Sequence, residues 1–291
     1  AIFNKPANQL IDAGRDIQEM RTKMERIDDV MEEENDPMWK DDPMREDVSY
    51  DKLKGQVSMK GVSFGYSRLD EPLIRDFNLD LAPGKSVALV GPSGCGKSTI
   101  TKLISGLYQP WAGEITFGGV PLRDLDPSVL RGSLAIVDQD IILFEDTIAN
   151  NLSMWDSTIE DFELYLAAND AQIHEDILRR EKGYQHVMLP EGRDFSGGQR
   201  QRLEIARVLA QDPSIIILDE ATSALDAKTE FDVVRSIRDR GVTCIVIAHR
   251  LSTIRDCDEI IVLDHGLVVE RGTHNELLRK DGRYAELVKS E

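Results

Sequence analysis

Gly91-Pro-Ser-Gly-Cys-Gly-Lys97-Ser98-Thr99 stands directly after the apolar run Ser86–Val90 and opens the helical pattern at 97–107. It fits G-x-x-x-x-G-K-[ST] in the strand, loop and helix setting that the motif's chemistry needs. Gly91, Ser93, Gly94, Cys95 and Gly96 form a turn whose amides wrap a phosphate, and Lys97 adds positive charge near the β and γ phosphates. The Ser98 hydroxyl, with Thr99 beside it, offers Mg²⁺ a ligand. A phosphate-binding loop alone leaves kinases, switches and motors open.

Further along, Ile215-Ile-Ile-Leu-Asp219-Glu220 is an apolar strand ending in two carboxylates. Asp219 is placed to hold the Mg²⁺ shell from the strand's C-terminal edge, and Glu220 to polarise an attacking water as general base. Apolar runs at 86–90, 215–218, 244–248 and 260–263 alternate with helical patterns, which predicts an α/β fold with a largely parallel sheet covered on both faces. Earlier strands are expected around Val57, Met59, 62–64 and 77–82, and the stretch 150–182 reads as mostly helical.

Phe195-Ser-Gly-Gly-Gln199 runs into Arg200-Gln-Arg-Leu-Glu-Ile-Ala-Arg207, so a flexible turn opens a helix ahead of the acidic strand. Ser196 and the amides of Gly197 and Gly198 make a second anion site at a helix N-terminus. With two phosphate-binding turns, the chain resembles the ATP-binding cassette family, whose signature is usually Leu-Ser-Gly-Gly-Gln; Phe195 replaces the leucine here. The resemblance covers 55–291. It implies a P-loop NTPase cassette with a mainly parallel sheet core, an antiparallel β subdomain and an inserted helical subdomain at about 145–205.

The remaining motifs follow residue by residue from that resemblance. Gln139 in Val-Asp-Gln-Asp resembles the Q-loop glutamine that senses Mg²⁺, and Ser223-Ala-Leu-Asp226 resembles the D-loop. His249 resembles the switch histidine at the γ-phosphate, and Tyr66 the aromatic that stacks on adenine. The resemblance therefore implies ATP and Mg²⁺, with Glu220, His249, Gln139 and Lys97 catalytic and Ser98, Gln139 and Asp219 on the metal. Tyr66, the 91–99 loop, Ser196, Gly197, Gly198, Gln199 and Asp226 contact the nucleotide. Cassettes of this family pair head to tail around two MgATP, and with every recognised position intact a homodimer is the simplest expectation.

Composition frames this reading. The 291 residues carry 53 acidic and 35 basic side chains, a net −18, which is a poor balance for holding nucleic acid by its phosphates. Twelve acidic and three basic residues fall within 25–51, half of the total excess. Cys95, Cys244 and Cys257 have no metal-ligand spacing, so a reducing setting is expected. Cys95, beside Lys97 at a helix start, is expected to be the most reactive thiol. The chain opens at Ala1 without a secretory signal or an initiator Met, which suggests a fragment of something longer.

Leu10, Ala13, Ile17, Met20, Met24, Ile27 and Met31 recur at steps of three and four, the apolar seam of a helix. That helix lies either on its own domain or at the trailing end of a removed neighbour; the cassette resemblance favours the second. The implied organisation is a helix at 1–34 continuing from a transmembrane domain, an acidic linker at 35–54 and the cassette at 55–291. Such an arrangement resembles exporters, at the cytoplasmic face of the cell membrane, more than importers or soluble cassette ATPases. Phe195 and Gln18-Glu-Met-Arg resemble the peptide and bacteriocin exporters.

Overall fold

Three runs of β-branched and aliphatic residues account for the centre of the molecule. In the computed structural model, which describes residues 4–32, 51–138, 140–247 and 250–290, they are β3 (Ser86–Val90), β7 (Ile215–Asp219) and β8 (Thr243–Ile247). Nearly every residue in them is buried, as expected of strands covered on both faces. With β6 (Leu134–Val137), β9 (Glu259–Asp264) and β10 (Leu267–Gly272) they form a sheet in the order β10-β9-β3-β8-β7-β6. All its pairings are parallel except β9 with β10. Leu89 and Asp219 both stand opposite Ile247, so β3 and β7 end level with each other across β8. In open parallel sheets this carboxyl edge is where ligands bind.

A second, antiparallel sheet has the order β2-β1-β4-β5, formed by β1 (Val57–Phe64), β2 (Ile74–Leu81), β4 (Ala112–Phe117) and β5 (Val120–Pro121). From Phe77 onward β2 alternates buried and exposed residues, the mark of a sheet with one face on the core. The chain from β3 to β4 forms α2 (Lys97–Ile104), most of whose residues are buried. The sequence pattern carries this helix to 107; the structure stops it at Ile104, because Gly106 turns left-handed at φ +78°.

Helices α3 (Pro127–Ser133), α4 (Ile148–Ser153), α5 (Asp161–Asp170) and α6 (His174–Leu178) precede α7 (Gly197–Ala210). Arg207 of α7 is buried and donates to the carbonyls of Asn151 and Ile142, both at 2.8 Å, while pairing with Glu204 at 2.6 Å. Those bonds tie the helical insert to α7. The chain continues through α8 (Ala227–Asp239), α9 (Leu251–Ile254), α10 (His274–Lys280) and α11 (Arg283–Ser290).

Residues 1–45 form a separate unit. It contains α1 (Asn4–Glu32), in which Ile17, Met20, Met24, Ile27 and Met31 are exposed and Lys23–Glu19 and Arg21–Glu25 ion pairs span one turn. The Leu10 side chain and linker residues 35–50 lie outside the described residues. Among the described residues no helix is long and apolar enough to cross a membrane.

Candidate nucleotide site

The site begins where β3 ends. At Gly91 a Cβ would stand 2.2 Å from the Leu263 carbonyl oxygen and 2.9 Å from Cys95 Sγ, so the chain leaves the sheet there only without a side chain. Gly94 and Gly96 then take φ of +79° and +106°, and Gly96 caps α2. This turn draws Lys97 inward: its ammonium donates to the carbonyls of Gly91 at 2.9 Å and Pro92 at 3.1 Å, and the residue is 6% exposed. Those bonds compensate the burial of a charge. Ser93, Gly94 and Ser98 remain exposed at the loop's mouth.

Beside the loop, the Tyr66 hydroxyl lies 3.1 Å from the hydroxyl of buried Thr99. Phe64 and Tyr108 meet the Tyr66 ring edge-on, with centroids at 5.4 Å and 5.5 Å, yet the residue stays 60% exposed. An aromatic fixed by its edges and open to solvent offers a stacking surface.

From β7, Asp219 accepts a hydrogen bond from Ser98. Burial pushes the Asp219 carboxyl above its ordinary range, and the charges of Asp138 and Glu220 push the same way; the Ser98 bond and Lys97 oppose them. A cation would relieve this gathering of negative charge, and the hydroxyl and carboxylate oxygens are the hard donors that Mg²⁺ takes. Among the described residues no group of three or more His, Cys, Asp or Glu forms a metal-holding set.

Glu220 adopts φ +53°, a conformation that costs a non-glycine residue about 1–3 kcal/mol and collects at functional sites. Its amide donates to the Ile247 carbonyl at 2.8 Å, fastening the tip of β7 to the end of β8. Gln139 and His249 lie outside the described residues.

The second turn is built differently. Ser196 caps α7, its Oγ accepting from the Gln199 amide at 3.3 Å while Gln199 Oε1 accepts from the Ser196 amide at 3.0 Å. Ser196 and Gly197 are exposed. A Cβ on Gly197 would meet only Ala224 Cβ, at 4.0 Å; one on Gly198 would meet the Ala224 carbonyl oxygen at 3.0 Å. The nearest atoms to both glycines thus belong to the turn 224–225, none to 91–99. Phe195 is buried, with the Arg180 guanidinium 4.1 Å above its ring. Asp226 caps α8: hydrogen bonds from the Thr229 hydroxyl at 2.6 Å and amide at 3.1 Å hold its carboxyl below the usual range.

Cys95 is buried, and burial pushes its thiol up against the pull of Lys97, so it is no poised thiolate. Cys244 and Cys257 are buried and raised as well, Cys257 to about 11. Sequence reasoning passed over Gln201, Glu230 and Arg250, which hold the turn after Glu220. A signal was present: Glu230 interrupts the apolar stripe that continues through Val233 and Ile237.

A glycine loop at the carboxyl edge of a parallel sheet, with an acidic strand end beside it, defines a P-loop nucleotide-binding domain. Residues 74–223 match the family model for ABC transporters, and the chain belongs to that family, as a nucleotide-binding domain. It is 47% identical over 247 residues to the mitochondrial potassium channel ATP-binding subunit of Homo sapiens, covering 83% of this chain and 34% of that protein. It is 45% identical over 244 residues to the ATP-dependent lipid A-core flippase of Vibrio vulnificus (strain YJ016), covering 82% of this chain and 42% of that protein. Among solved structures it is similar to a bacterial Atm1-family ABC exporter with ATP bound, with TM-score 0.83 and 37% identity over 98% of this chain and 50% of that one. The chain spans less than half the length of the curated relatives it matches.

Proposed function

We propose that this cassette binds MgATP in the 91–99 loop, pairs head to tail with a second copy, and hydrolyses the nucleotide to drive export through a transmembrane domain. It would work at the cytoplasmic face of the membrane, with α1 continuing from the membrane domain across the acidic linker into the cassette at 55–291. The observation that carries the pairing is Gly197. Its backbone does not need glycine and its own chain leaves it open, so the missing side chain makes room for something from outside. An ATP phosphate held by another copy's Lys97 loop suits an exposed helix N-terminus. The exposed apolar residues of α1 support the link to a further domain.

In this reading Lys97 trades its bonds to the loop carbonyls for the β and γ phosphates, and Tyr66 stacks on the adenine. Ser98 and Asp219, with Gln139, would hold Mg²⁺, which would supply positive charge to the phosphates. Glu220 accepts the proton of the attacking water, and His249 steadies the γ-phosphate. Ser196, Gly197, Gly198, Gln199 and Asp226 complete the partner's site. A peptide or bacteriocin cargo is the narrower form of the proposal. It draws no support from Phe195, whose burial makes its identity a matter of packing.

Replacing Glu220 tests the core of this reading. Glu220→Gln should bind MgATP normally, lose about 10²- to 10⁴-fold in turnover, and accumulate as an ATP-bound dimer on size-exclusion chromatography. Turnover close to wild type would remove Glu220 from the role of base.

A further inference from the structure

Glu230, on α8, is completely buried, and no step above uses it. Its Oε1 accepts from the hydroxyls of Thr222, at 2.7 Å, and Thr253. Its Oε2 accepts from Ser252 Oγ at 3.1 Å and faces Arg250 Nη1 at 3.4 Å. The same guanidinium donates to the carbonyls of Leu225 at 2.5 Å and Ser223 at 2.8 Å. One carboxylate therefore joins the turn 222–225, which follows Glu220, to the segment 250–253. On the turn's other side, buried Gln201 of α7 accepts from the Ala224 amide at 2.9 Å and lies 3.4 Å from the Glu220 carbonyl oxygen.

A carboxylate taken out of water is tolerated only while its donors stay in place. Glu230 has donors from both segments. If either swings away, the charge is left short of partners at a cost larger than the worth of the lost bond. The two segments are thereby bound to a shared arrangement, and Glu220, strained at φ +53°, sits directly upstream of one of them.

The geometry points to Glu230 as a positioning residue for hydrolysis: acting through Arg250, it locks the turn 222–225 to the segment 250–253 and so fixes the backbone that aims Glu220. The inference rests on Glu220 being the base, and the experiment separates the two. On the full 291-residue chain, Glu230→Gln keeps the side chain's shape but turns an NH₂ toward Arg250. It should lower kcat for MgATP about 10- to 100-fold, the scale of a displacement of about 1 Å. The KM and the nucleotide Kd should stay within about threefold. Hydrogen exchange by mass spectrometry, read without turnover, should show amides of 222–225 and 250–254 losing protection together while those of α2 keep theirs. Arg250→Ala should release 222–225 as well, and the double variant should be no worse than the worse single one. An unchanged kcat, an exchange increase confined to α8, or additive losses would overturn the tie. If Glu230→Gln does not fold, the exchange pattern of Arg250→Ala decides. If Glu220→Gln turns over normally, the base assignment falls, and the exchange result alone decides whether the tie exists.

Discussion

The two glycine turns of this chain, at 91–99 and 196–199, differ in what holds their glycines in place. In the loop at 91–99 the protein itself demands them: Gly91 lies against the Leu263 backbone, and Gly94 and Gly96 take left-handed angles. In the turn at 196–199 the backbone is ordinary helix from Gly197 on, the cap is closed by Ser196 and Gln199, and a Cβ on Gly197 would meet nothing nearer than Ala224 Cβ at 4.0 Å. The first turn is a feature of the fold that binds a ligand. In the second, Gly197 is left open by its own chain, which is where the proposed partner would approach. Identical residue types thus answer to internal geometry in one place and to external approach in the other.

That contrast can be broken by substitution. Gly91→Ala should have the largest effect, on the order of 4 kcal/mol of folding stability, since backbone strain and overpacking each cost about 1–3 kcal/mol. Urea denaturation would show it, and a midpoint near wild type would mean that the loop yields where the structure leaves no room. Ser196→Ala should cost about 0.5–2 kcal/mol by removing the cap of α7, visible in the same unfolding curves, without changing ATP affinity of the monomer. Gly197→Ala should have the smallest effect and the opposite sign. A helix-compatible alanine adds about 0.4–1 kcal/mol of stability, while ATP-driven dimerisation in the Glu220→Gln background should weaken. A stabilised variant that dimerises normally would return Gly197 to a purely local role.

How much of this was legible beforehand follows the range of the interactions. The strand, loop and helix around 91–99 are local, and their reading needed only order and spacing. The parallel sheet was visible because runs such as Ile215-Ile-Ile-Leu have no polar face to turn outward. The end of α2 was misjudged by three residues, since Gly106 lies inside an otherwise helical pattern. At Cys95 the neighbours in sequence, Lys97 and a helix start, favour a thiolate, while burial, which the sequence does not show, pushes the thiol the other way. Glu230 and Gln201 were invisible as site residues for a related reason. Their partners lie 8 to 23 positions away, and a polar residue in a helix gives no sign of which turn it will hold.

The closeness of Gly91 to Leu263 has a consequence for how such a protein can change over generations. A lineage can silence Glu220 or fill Gly197 by one substitution and still inherit a folded cassette, available as a passive half of a mixed pair. At Gly91 a change that ruins nucleotide binding also damages the fold, so no inert but intact descendant is reached by that route. Inactive copies of this cassette should therefore carry their lesions at the acidic strand end or the exposed turn, and keep the glycine that leaves the sheet.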